Sequence, residues 1–62
     1  MTVLEFLTIY VDRSVAVDHL RRALKGSDAL PDDLLNLDLA VLSPRQMSIV
    51  CGTQQLIADL YS

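Results

Sequence analysis

Apolar residues recur at helical spacing along most of this chain, and a capping or turn residue precedes each run. Thr2 is followed three residues later by Glu5, the form of a capping box in which each side chain satisfies a backbone N–H at a helix start. Beyond it Glu5, Thr8 and Asp12 form a narrow polar stripe, while Leu4, Phe6, Leu7, Tyr10 and Val11 fill a broad apolar face. This predicts a first helix over 3–11, with a strand as the rival because Phe6, Thr8, Ile9, Tyr10 and Val11 favour β structure.

Asp12 or Ser14 can cap a second helix that runs to about Lys25. Val17, Leu20 and Leu24 share one side of it with Ala16 and Ala23 beside them, Asp18 and Arg22 can pair at i, i+4, and Gly26 suits the stop. Residues 27–31 read as the one true connection. Pro31, Asp32 and Asp33 then open a third helix, since proline fits the first helical position and acids favour the positive helix end. Its apolar arc runs from Leu34 to Leu42, with Asp38 as a misfit pointing to the apolar side. A strand over 35–42 is the alternative, because Leu35, Leu37, Leu39 and Val41 alternate with Asn36, Asp38 and Ala40.

Ser43 and Pro44 repeat the start signal, and a fourth helix extends to Tyr61. Ser48, Gly52, Gln55 and Asp59 form its polar stripe; Ile49, Val50, Leu56, Ile57, Leu60 and Tyr61 lie opposite. Gly52 weakens the middle of this helix by about 1 kcal/mol relative to alanine, and predicts either a close helix contact or a break into two shorter helices. The fold expected is all-α, a compact bundle of three to four short helices forming a single domain over 1–62. A small βαβα unit is the alternative.

Composition sharpens this picture. The chain has 62 residues, of which 52% are hydrophobic and 21% charged, and a domain of this length buries only roughly 60% of the surface its unfolded chain exposes. Apolar surface is therefore left over for a partner. Cys51 is the only cysteine, which removes an intramolecular disulfide and leaves packing or oligomerisation to supply stability. A lone cysteine, the lack of a long apolar run and the absence of a basic stretch before the first apolar residues together place the protein in the cytoplasm, with no membrane span. Residues 1–27 carry four basic side chains against three acidic ones, and residues 28–62 carry one against five. No basic stripe results, so direct nucleic-acid binding is disfavoured.

His19 and Cys51 are the only nucleophile and base candidates; they fall on different predicted helices with nothing to orient either, and Cys51 is expected to pack as a small hydrophobe. No catalytic residue, cofactor site or metal site is expected, and both glycines are isolated from any phosphate-cradling pattern. Arg21 and Arg22 read as a solvated helix face. Phe6, Tyr10, Met47 and Tyr61 are either core fillers or interface residues, because aromatics and methionine are enriched at protein interfaces.

Short motifs resemble the Hha/YmoA family of small bacterial co-regulators. Thr2 to Leu7 is similar to that family's opening Thr-x-x-acid-aromatic-Leu, and Leu30 to Asp33 resembles its Leu-x-Asp-Asp helix start. Arg45 stands where the family's Asp-His-Arg motif has its arginine, while Ser43 and Pro44 replace the Asp-His. The resemblance implies a helical protein that binds the oligomerisation region of a nucleoid-associated protein. The expected function is thus a protein-binding regulator with an apolar helical face for a partner or for a second copy, its interface drawn from Phe6, Tyr10, Asp38, Arg45, Met47 and Tyr61. The alternative is a small acidic chaperone or inhibitor that shields a hydrophobic helix of a client.

Overall fold

In the computed structural model, which describes residues 1–62, the chain forms four α-helices and one 3-10 turn: α1 Val3–Leu7, α2 Arg13–Ala23, α3 Pro31–Leu35, the 3-10 turn Leu39–Val41, and α4 Pro44–Tyr61. The architecture is an all-α small bundle with no strands. Helix starts follow the sequence closely. Thr2 Oγ1 accepts from the Glu5 N–H at 3.2 Å, and Glu5 Oε1 accepts from the Thr2 N–H at 3.0 Å, which closes the capping box. Asp12, not Ser14, caps α2 by accepting from the Val15 N–H at 3.0 Å. Ser43 and Gln46 form a second capping box ahead of α4.

Helix ends depart from the periodicity. The first helix stops at Leu7, because the Thr8 hydroxyl donates to the Leu4 carbonyl at 2.7 Å and the following Ile9, Tyr10 and Val11 are β-branched or aromatic. Asp12 needs extended backbone to cap α2, so residues 8–11 become the connection. The second helix ends at Ala23, and Gly26 takes φ 86°, a conformation that strongly favours glycine.

The expected third helix to Leu42 is broken. It ends at Leu35, after which Asp38 stands in extended backbone and caps the 3-10 turn by accepting from the Ala40 N–H at 2.9 Å. Asp38 therefore points to solvent and to local backbone, not to the apolar side. The strand alternatives survive only as an isolated antiparallel bridge between Thr2 and Asp38, flanked by Val3 N–H to Leu37 carbonyl and Leu39 N–H to Met1 carbonyl bonds of 2.9 Å each.

One cluster forms the core: Val3 and Leu7 from α1, Ala16, Leu20 and Leu24 from and just after α2, Leu34 and Leu35 from α3, Val50 and Ile57 from α4. Gly52 neither breaks α4 nor meets a neighbour, since a Cβ built there finds nothing within 4 Å. No helix is long and apolar enough to cross a membrane.

Candidate functional site

The 18 residues of α4 span about 27 Å at 1.5 Å per residue, the full length of a molecule measuring 27 × 25 × 18 Å. Its neighbours are shorter. Helix α1 has five residues and α2 has eleven, and these two are the helices that pack on it. Val50, Thr53 and Ile57 are the residues that α4 buries, and their 3–4 spacing defines a narrow core-facing stripe. Thr53 is accommodated there because its hydroxyl donates to the Ile49 carbonyl at 2.8 Å.

The apolar arc read from the sequence is wider than that stripe. Ile49 is half-buried, while Leu56 and Leu60 remain 48% and 59% exposed, on the flank that adjoins α2. Between the two helices runs an open groove of about 370 Å³ whose lining includes His19 and Ala23 of α2 and Ile49, Gly52, Thr53 and Leu56 of α4. Gly52 lines it with no side chain, at the cost of about 1 kcal/mol of helix stability relative to alanine.

Tyr61 packs on His19, one of the residues that line the groove. Its ring meets that of His19 edge to face with centroids 5.8 Å apart, and its hydroxyl lies 3.4 Å from His19 Nε2. His19 is buried, and its Nδ1 has no partner. Alongside lies a wider, more polar depression of about 970 Å³ bordered by Tyr61, Leu60 and the charged side of α2. Four of its charged side chains pair within the chain, Arg13 with Asp32 at 3.5 Å and Arg22 with Asp18 at 3.1 Å, the latter at the expected i, i+4 spacing, and Arg21 makes no ion pair.

The six residues singled out from the sequence do not form one patch. Phe6 is half-buried and packs on the core, Tyr10 is exposed in the α1–α2 connection, and Met47 is half-buried on α4. Asp38 is engaged near the chain start, where its Oδ1 accepts from the Met1 ammonium at 2.9 Å. The Ala40 N–H bond, and after it this contact, hold the Asp38 carboxyl below its usual range, and the Met1–Asp38 hydrogen bond and ion pair raise the Met1 amine. Arg45 is exposed in the first turn of α4 and pairs with no acid, about 24 Å along the helix from Tyr61. Of the six, only Tyr61 borders the exposed flank of α4.

Sequence reading placed Gly52 on the polar stripe of α4 but missed Leu56 and Leu60 as surface features. The available signal was the breadth of the apolar arc on α4 set against the shortness of the other helices. Cys51, expected to pack in the core or at its edge as a small hydrophobe, is exposed. No three His, Cys, Asp or Glu side chains gather where a metal ion could be held. Neither a family model, nor a curated protein, nor a solved structure matches the chain.

Proposed function

We propose that this protein is a small cytoplasmic regulator that acts by binding protein, not by catalysis, and that the α2–α4 groove with Leu56 and Leu60 is its binding face. The observation that carries this reading is the exposure of two leucines one turn apart beside an open groove, on a helix whose other side already packs the core. Burying both fully would remove apolar surface worth about 25 cal/mol per Å² from water. A helix laid along the groove is the occupant that such a surface fits.

His19 and Cys51 do not assemble into a reactive pair: one is buried against Tyr61 and the other is exposed. That favours a binding role over an enzymatic one. The motif resemblance to Hha/YmoA co-regulators supplies the regulatory part of the proposal and one class of partner, a nucleoid-associated protein. Replacing Leu56 and Leu60 together by glutamate tests the face. Partner binding is expected to disappear while the urea unfolding midpoint stays near that of the wild type; retained binding overturns the assignment.

A further inference from the structure

Three features of α4 have no use inside the single chain. Gly52 lies in the middle of the helix, where glycine destabilises relative to alanine, yet nothing within 4 Å of a Cβ requires it. Arg45 and Asp59 stand seven residues to either side of Gly52, and both are exposed. Two turns of helix return to nearly the same face, so all three share one side of α4.

The two charges are also reversed with respect to the helix. Arg45 occupies the first turn, where the helix dipole favours acids, and Asp59 occupies the last, where it favours bases. Neither makes an ion pair within the chain; Asp59 only accepts from the Gln55 side-chain amide at 3.1 Å. A second α4 running antiparallel supplies what each lacks. Arg45 then faces Asp59 of the second copy together with the negative end of its helix, and Asp59 faces the second copy's Arg45 and positive helix end.

We infer that α4 pairs with α4 of a second copy of this chain, antiparallel about a two-fold axis that passes Gly52. The glycines let the two backbones approach at the crossing. In that register Leu56 falls beside the second copy's Ile49, so the exposed flank next to α2 is covered on both protomers by one isologous contact. This names the occupant of the binding face proposed above and rests on that reading. A stable interface of about 600 Å² per protomer is roughly 15% of the 4003 Å² surface of this chain, within reach of one long helix and the adjoining rim of α2.

Sedimentation velocity on the full chain, with single and mixed charge reversals, tests the pairing. The wild type is expected to show a concentration-dependent monomer–dimer equilibrium, and Arg45→Asp or Asp59→Arg alone to weaken it by roughly tenfold. Mixing the two variants in equal amounts restores a dimer at least as tight as the wild type, because both facing pairs are again opposite in charge. Each reversal also puts the favoured charge at its own helix end, so a urea midpoint at or above wild type separates lost pairing from lost folding. A short bis-maleimide is expected to join wild-type chains through Cys51, which lies one residue from the crossing.

A wild-type chain that remains monomeric at millimolar concentration overturns the inference, as does a dimer indifferent to both reversals or not recovered on mixing. If such a monomer still yields adducts with another protein from a photo-crosslinker at position 56, self-pairing fails and the binding face stands. If position 56 yields no adduct of any kind, both fail.

Discussion

His19 and Tyr61 meet edge to face where the last turn of α4 reaches α2, with ring planes at 76° and the Tyr61 hydroxyl 3.4 Å from His19 Nε2. This contact anchors the end of α4 and keeps the Leu60 flank beside α2. Tyr61→Ala is expected to lower the unfolding free energy by about 1 kcal/mol, the size of an aromatic pair with its partial burial, whereas Tyr61→Phe retains most of it. Urea denaturation of the two variants checks this. Equal loss in both would place the contribution in the hydroxyl instead of the ring.

The buried Nδ1 of His19 lacks a partner, so the imidazole spends part of its packing gain on a polar atom taken from water. His19→Leu fills similar space without that atom, and its stability is expected within about 1 kcal/mol of the wild type or above it. His19→Ala, which empties the site, costs roughly 2 kcal/mol or more. A His19→Leu variant as unstable as His19→Ala would contradict the assignment of Nδ1 as unpartnered.

Asp38 links the chain start to the 3-10 turn, and its titration should be visible in stability against pH. The Asp38 and Glu5 carboxyls sit below their ordinary values of 3.8 and 4.5, held by the Ala40 N–H and the Met1 ammonium in one case and by Thr2 in the other. Carboxyls depressed in the folded state add stability that is complete above those ordinary values and is lost as pH falls through the folded ones. The Met1 amine is raised above 8.0 by Asp38, so its contribution is complete below that pH and is lost as pH rises through the folded value. A plateau between about pH 5 and pH 8 is expected, with shallow slopes because these groups are exposed and screened by salt. Asp38→Asn should flatten the alkaline slope and reduce the acid one; unchanged slopes in the urea midpoint would remove Asp38 from both.

Much of this fold was legible because helix starts are written locally. Thr2 with Glu5, Asp12, and Ser43 with Gln46 each satisfy backbone donors through near neighbours, Pro31 opens α3 without any side-chain cap bond, and each begins a helix where the residues indicate. Helix ends depend on what the rest of the chain offers. The run from Leu34 to Leu42 has a helical arc, but Asp38 finds a better arrangement with Met1, thirty-seven residues away, and no local pattern encodes that contact. The exposed flank of α4 was hidden for a related reason. Periodicity places Leu56 and Leu60 on the apolar side of α4, but only Val50, Thr53 and Ile57 are buried there, and no local pattern encodes how narrow that stripe is.

Gly52 separates the needs of folding from those of binding. A Cβ at that position meets nothing, so Gly52→Ala is expected to stabilise the isolated fold by about 0.5–1 kcal/mol. Gly52→Leu, also free of internal clashes at its Cβ, projects into the groove and should abolish binding while leaving the helix intact by circular dichroism. A Gly52→Leu chain that still binds would mean that the groove is not occupied.

The most direct test of the account is a photo-crosslinking amino acid placed at position 56, compared with the same probe at position 33 on the exposed first turn of α3. Irradiation is expected to give a discrete adduct from position 56, with a second copy or another protein, and none from position 33. Adducts absent at position 56, or equal at both positions, would contradict the claim that the flank of α4 is where this protein meets its partner.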